Sequence, residues 1–70
     1  MHRYYCVMRP PAPGAIPRSR KMGNFEAFTE RRYIPEIDRM AWGWVEYMYP
    51  LTPAEIADYE LISAPKEDEV

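Results

Sequence analysis

The sequence predicts an α+β mini-domain, with a small antiparallel sheet of three to four strands and one short helix near the C-terminus. Three observations indicate this fold class. The chain has 70 residues, which is enough for one domain only. Almost every residue from Ala41 to Tyr49 is a strand-forming type, and a helix start signal follows at Thr52. A sheet of at least three strands with a helix on one face is close to the smallest arrangement that folds alone.

The first strand is expected at Arg3–Arg9, a stretch rich in β-forming residues. It ends before Pro10 and Pro11, because proline cannot donate a hydrogen bond to a sheet ladder. Residues 10–22 then form an irregular loop that is rich in proline and in basic residues. This loop is longer than a tight turn, which favours either mobility or a functional role.

Two short extended pieces are expected next, in residues 25–29 and 31–34, after the turn-forming residues Gly23 and Asn24. The apolar positions in this part of the chain do not settle a strand or a helix period. A single helical turn at residues 35–37 is the alternative for the connector, because proline is tolerated at the first position of a helix.

The strand at residues 41–49 has two different faces, because successive side chains point to opposite sides of a sheet. One face carries Ala41, Gly43, Val45, Tyr47 and Tyr49, and the other carries Trp42, Trp44, Glu46 and Met48. Gly43 predicts either a bulge or an aromatic ring that lies against the backbone. A single short helix can bury only one of the two faces, and the sequence does not say which.

The helix is predicted at residues 53–59, where three start rules agree. Thr52 is the N-cap, Glu55 is its capping-box partner, and Pro53 fills the first helical position. Residues 60–63 are expected to form a short closing strand, and a frayed last turn of the helix is the alternative.

The composition is that of a globular chain whose apolar fraction is largely aromatic. Hydrophobic residues make up 47% of the chain, but the mean hydropathy is −0.55, since six Tyr and two Trp carry polar atoms. We expect one domain over residues 1–64 and a disordered charged tail at 65–70. A single cysteine allows no intrachain disulfide, and no apolar run approaches the ~20 residues of a membrane span. These features predict a cytoplasmic protein with no membrane partner.

The charge is unevenly distributed along the chain. The formal net charge is −2, but the first 25 residues hold five basic residues and no acidic one. The remaining residues are strongly acidic. The small net charge gives no general attraction to nucleic acid, so a nucleic-acid partner is not favoured.

The residues that carry chemistry are too few for a catalytic site. The only His and the only Cys are His2 and Cys6, and no metal-binding motif is present. Glu46 is a conceivable general acid, but pairing with an arginine of a neighbouring strand, such as Arg3, Arg9 or Arg32, is the favoured interpretation. We therefore expect no enzymatic activity, no metal and no cofactor.

The bulky rings predict a protein-binding surface, because one short helix cannot cover both faces of the sheet. The candidate partner-binding residues are Trp42, Trp44 and Met48 of the strand and Pro11 and Pro13 of the loop. The partner is a protein of unknown identity or a second copy of the chain, as in a homodimer. The alternative function is single-stranded nucleic-acid binding by Arg18, Arg20 and Lys21.

A resemblance adds a biological context. The stretches Tyr4-Tyr5, residues 9–14, residues 33–37, residues 41–47 and Leu51-Thr52-Pro53 resemble small uncharacterised proteins that are encoded on phage and conjugative elements of Firmicutes. The resemblance extends over most of residues 4–62. It implies an accessory protein of a mobile element that binds a host protein or a protein of the element, and it implies no particular activity, cofactor or functional residue.

Overall fold

The described residues form a four-stranded antiparallel sheet with one short helix. The computed structural model describes residues 2–12, 14–17 and 22–65. The elements are β1 (His2–Cys6), β2 (Met22–Ile34), β3 (Arg39–Tyr47), α1 (Pro53–Asp58) and β4 (Leu61–Ser63). The order across the sheet is β2-β3-β1-β4, so β1 and β3 are central. This agrees with the predicted α+β class, although most of the regular structure is strand.

β1 is shorter than expected, since it ends at Cys6 and not at Arg9. Its residues pair with β3 on one side and with β4 on the other. After Cys6 the chain bends and brings the ring of Pro11 against Gly43. The chain has to leave the sheet before Arg9 to make this contact, and that ends the strand early.

β2 is one strand of 13 residues, whereas two separate pieces were expected. Ala27 lies opposite Gly43 and Arg32 lies opposite Ala41, so β2 contains extra residues between these pairs and its register shifts. The expected pieces are therefore two paired stretches of a single strand. The Gly23-Asn24 dipeptide lies inside this strand and does not break it.

The connection from β2 to β3 is a hydrogen-bonded turn at residues 35–38, in the place where a single helical turn was the alternative expectation. The Ile37 N–H donates to the carbonyl of Ile34 and the Asp38 N–H donates to the carbonyl of Pro35, both at 3.2 Å. Such bonds between residues three apart are those of consecutive β-turns. Asp38 has a φ of 54°, a left-handed conformation that aspartate tolerates better than most residues.

The alternation along β3 matches the prediction and shows which face is buried. Its odd-numbered residues from Ala41 to Tyr47 are buried, and the even-numbered residues between them are half-buried. Directly paired residues share a face, so the faces extend onto β1. We define the covered face as Tyr4, Cys6, Gly43, Val45 and Tyr47, and the open face as Arg3, Tyr5, Trp42, Trp44 and Glu46.

Two segments pack on the covered face. α1 and the residue after it contribute Ile56 and Tyr59, and the proline-rich segment contributes Ile16, to one core cluster with the side chains of this face. Pro11 of the same segment lies against Gly43. α1 and the proline-rich segment thus both pack on the covered face. The open face is formed by side chains of the strands.

Glycine is required at position 43 because neighbouring atoms leave no room for a Cβ. The cause is neither the predicted bulge in β3 nor the predicted aromatic ring. A Cβ at this position would lie 2.8 and 2.9 Å from Cδ and Cγ of Pro11, and still closer to the carbonyl oxygen of Glu26 in β2. A proline ring therefore takes the place that was predicted for an aromatic ring. The irregularity of the sheet lies on β2, and β3 itself has no bulge.

α1 begins where the sequence predicts. The Glu55 N–H donates to the Thr52 hydroxyl at 3.2 Å, and the Thr52 N–H donates to the Glu55 carboxylate at 2.9 Å. The helix ends at Asp58, one residue before the predicted end. Glu60, with a φ of 55°, then turns the chain into β4, so the closing strand was predicted correctly.

Replacement of Thr52 by alanine is expected to lower the free energy of unfolding by about 1 kcal/mol, because the capping hydroxyl is lost. Urea denaturation followed by circular dichroism measures this change. Exposed Ala54 in the first turn is the control position, and A54S is expected to change the stability by less than about 0.5 kcal/mol. Equal stabilities of T52A and A54S would contradict the capping role.

No helix of the described residues has the length and the apolar character needed to cross a membrane.

Candidate functional site

The open face is the candidate functional site, because it combines two indole rings with charged side chains. Trp42 and Trp44 are half-buried, and Tyr5 of the central strand β1 is only 4% exposed. Tyr5 lies opposite Trp44 on one side and opposite Ile62 on the other. These cross-strand pairs give the open face an apolar base that lies next to charged groups.

Arg3 and Glu46 form an ordered ion pair on the open face, next to Trp44. The Nε and Nη2 atoms of Arg3 donate to one carboxylate oxygen of Glu46 at 3.0 and 2.8 Å. The guanidinium carbon of Arg3 lies 4.0 Å from the centre of the Trp44 ring. A cation over an indole is a favourable contact, and here Glu46 fixes its position.

The charge of Arg3 is stabilised by its surroundings. Burial opposes the charged form, but hydrogen bonds with Glu46 and Tyr5 and the negative charge of Glu46 outweigh this effect, so the pKa of Arg3 is raised. The expected pairing of Glu46 with a neighbouring arginine is therefore made by Arg3. The Glu46 carboxylate thus accepts two hydrogen bonds from one arginine.

Trp42 lies beside a second arginine. The guanidinium carbon of Arg31 is 5.7 Å from the centre of the Trp42 ring. Both indoles therefore have an arginine over or near them. Arg3 and Arg31 were not among the predicted binding residues, because the register that brings them to Trp44 and Trp42 depends on pairing between separate strands.

The predicted site residues lie in different places. Trp42 and Trp44 lie together on the open face, while Met48 follows the end of β3 and is 47% exposed. Pro11 is buried, and its ring packs on Gly43. The remaining predicted binding residues, Pro13, Arg18, Arg20 and Lys21, lie outside the described residues.

The groups that often carry reactivity are buried. Burial raises the pKa of the Cys6 thiol to about 11 and that of the Tyr47 hydroxyl to about 12, so both hold their protons at neutral pH. A buried, protonated thiol is a poor nucleophile. Within the part of the chain that is described, no three metal-binding side chains come together.

These two pKa values predict a loss of stability at alkaline pH. In the unfolded chain the thiol and the phenol ionise near 9.0 and 10.0, and in the folded chain near 11 and 12. Ionisation therefore favours the unfolded state. The free energy of unfolding has its full value below about pH 9 and falls as the pH rises toward 12. Urea denaturation between neutral and alkaline pH measures the slope. C6A is expected to flatten it between about pH 9 and 11, and equal slopes for C6A and wild type would contradict the prediction.

The fold and the site define a small sheet domain with one covered face and one face of stacked arginine and tryptophan. Residues 1–66 match the model of the family described as Defence against restriction A C-terminal, so the chain belongs to this family. No curated protein and no solved structure matches the chain.

Proposed function

We propose that the chain is a non-enzymatic protein–protein interaction module, an accessory protein of a mobile genetic element that binds its partner through the open face. One observation carries this proposal: both covering segments lie on the covered face, and Trp42 and Trp44 are left on the opposite side of the sheet.

The side chains of the open face are of the types that dominate binding energy at protein interfaces. Trp, Tyr and Arg are enriched among residues whose truncation costs the most affinity. Arg3 is already fixed by Glu46 and stacked near Trp44, so its ordering costs little when a partner binds. A surface that is ordered before binding favours affinity.

The ring stacking also favours a protein over single-stranded nucleic acid. Bases bind proteins by stacking on free aromatic faces. Here Arg3 lies over the Trp44 ring, so a base would have to displace a guanidinium that Glu46 holds. A protein can instead contact the guanidinium and the rim of the ring together.

The family name supports the biological context. Restriction is the cleavage of incoming DNA by endonucleases of the host cell, and phages and conjugative elements are carriers of such DNA. We propose that a binding module of this size contributes to such a defence by contact with another protein. We therefore expect the partner to be a host protein or a protein encoded by the element.

The proposal is tested by purification of the tagged chain from cells that carry the element, after nuclease treatment, with quantitative mass spectrometry of the captured proteins. Truncation of a central Trp costs about 2 kcal/mol or more, so W44A is expected to reduce capture of the partner about 30-fold. E26K adds a positive charge opposite Trp44 on exposed β2, and we expect it to reduce capture without a change in the core.

The matched controls lie away from the open face. D58K makes the same charge change at an exposed position of α1, and Y49A removes an aromatic ring that is 61% exposed. Both are expected to capture the partner as wild type does, with unchanged circular dichroism. Equal capture by W44A, E26K and wild type would overturn the proposal. Nuclease-sensitive capture that depends on Arg18, Arg20 and Lys21 would favour the nucleic-acid alternative.

A further inference from the structure

Two charged side chains of β2 extend the open face beyond β3. Glu26 lies directly opposite Trp44, so its side chain is on the same face as that indole. The guanidinium carbon of Arg31 lies 5.7 Å from the centre of the Trp42 ring, so Arg31 is on this face as well. The open face therefore continues onto β2 with an acidic side chain level with Trp44 and a basic side chain level with Trp42.

The charges of Glu26 and Arg31 are not compensated within the described part of the chain. Both residues are exposed, and neither belongs to an ion pair or to a side-chain hydrogen bond with another described residue. They also do not pair with each other, because Arg31 lies beside Trp42. One face thus presents an acid and a base that are both free to bind a group of opposite charge on another molecule.

A second copy of the same face supplies both of these opposite charges. In a dimer with a twofold axis, a contact of residue i with residue j of the other copy is always accompanied by the reverse contact. If Glu26 of one copy faces Arg31 of the other, two ion pairs form at the same time. A face with one free acid and one free base is therefore complementary to itself.

The same twofold axis brings the indole rings together. Glu26 is level with Trp44 and Arg31 is level with Trp42, so an axis that exchanges the two charges also exchanges the two Trp positions. This axis lies between the stacked sheets, perpendicular to the strands and level with Gly43, about 3.4 Å along β3 from each Trp. The positions of the charges and of the indoles therefore specify one and the same register.

The remaining features of the open face are compatible with this packing. α1 and the proline-rich segment lie on the covered face, so neither blocks the approach of a second sheet. Arg3 and Glu46 already compensate each other within one chain. Once Glu26 and Arg31 are paired across the axis, none of these four charges is buried without a partner, which would be costly. Two sheets that stack in this way cross at about 30°.

We propose that the chain forms a homodimer in which two open faces stack, with Glu26 of each copy paired with Arg31 of the other and with Trp42 packed against Trp44. This inference rests on the proposed function, because it names a second copy of the chain as the protein that binds the open face. It also agrees with a partner that is encoded by the element itself.

Sedimentation velocity of the full chain over a series of concentrations tests the dimer. The mass of the wild type is expected to rise with concentration toward twice 8.3 kDa. E26K and R31E each place like charges opposite each other at both contacts, and each is expected to weaken dimerisation about tenfold or more. D58K and R39E make the same charge changes at exposed positions away from the open face, so they should dimerise as wild type does.

A mixture of the two weakened variants tests the pairing itself. E26K has basic side chains at both contact positions and R31E has acidic side chains at both, so opposite charges meet again when one copy of each associates. The mixture is expected to form a heterodimer with about the affinity of the wild type, and the double variant E26K/R31E is expected to form a homodimer. Circular dichroism of each variant shows whether it is folded. A folding defect in one variant would not be repaired by mixing.

The outcomes separate this inference from the proposed function. A wild type that is monomeric at every concentration, or equal dimerisation by E26K, R31E and wild type, overturns the homodimer. A mixture that is no more dimeric than its two components overturns the pairing of Glu26 with Arg31. If the wild type is monomeric and W44A still reduces capture of another protein, the proposed function stands without this inference. If neither dimerisation nor capture responds to W44A, both are overturned.

Discussion

G43A is expected to unfold much of the protein population at room temperature, because no space exists for a Cβ at this position. The added atom would lie 2.8 and 2.9 Å from the Pro11 ring and closer still to the carbonyl oxygen of Glu26, where real Cβ atoms are essentially never found. Glu26 belongs to the neighbouring strand, so relief requires a shift of the β2 backbone. Overpacking of this kind costs about 3 kcal/mol.

This cost is large relative to the stability of so small a domain, which rarely exceeds about 3–5 kcal/mol. Thermal unfolding and urea denaturation followed by circular dichroism measure the loss. G14A is the control, because Gly14 has a φ of 89° but a Cβ added there would meet no atom within 4 Å. It separates backbone strain, about 1 kcal/mol, from steric overlap. If G43A were as stable as G14A, the result would contradict the close contact of Pro11 and the β2 backbone with Gly43.

Substitution of Tyr47 is expected to give the second largest loss of stability. Two variants separate the contribution of the hydroxyl from that of the ring. Its side chain is fully buried, and its hydroxyl donates to the carbonyl of Pro17 at 2.6 Å. Y47F removes the hydroxyl and leaves a buried carbonyl without its donor, at a cost of about 1–2 kcal/mol. Y47A also removes the ring, which packs edge-on against Tyr4 with ring centres 6.1 Å apart. The total loss is about 3–5 kcal/mol.

Urea denaturation of Y47F and Y47A gives the two costs separately. Y49F is the control, because Tyr49 is 61% exposed and its hydroxyl bonds to no other described residue. This variant is expected to change the free energy of unfolding by less than about 0.5 kcal/mol. If Y47F were as stable as wild type, the proline-rich segment would not be held by this hydrogen bond.

The parts of the fold that depend on neighbouring residues could be predicted from the sequence. The start of α1 is an example, since the Thr52 and Glu55 contacts span only three residues. The alternation of Trp42 and Trp44 with Val45 and Tyr47 is another, because it follows from strand geometry alone. The covered face could not be predicted, since both faces of β3 carry large rings.

Two other features could not be predicted because distant segments decide them. The ring of Pro11 lies on Gly43 only because the chain turns back after β1. Arg3 reaches Glu46 through a pairing that joins residues 43 positions apart, and local sequence does not specify that register. The continuity of β2 was also hidden, because a Gly-Asn dipeptide and an interrupted pairing both look like a break in the strand. The residue types of much of the open face could therefore be predicted from the sequence, but their arrangement in space could not.

The position of β1 between β3 and β4 constrains the order in which the molecule folds. The β2–β3 hairpin needs only local contacts, but the first strand gains both neighbours only after residues as late as Leu61–Ser63 are in place. Closing such a large loop is entropically costly, and folds dominated by remote contacts form slowly. Until then Tyr4, Cys6 and Val45 stay exposed to water, and in that interval nascent chains are most vulnerable to proteases and to self-association.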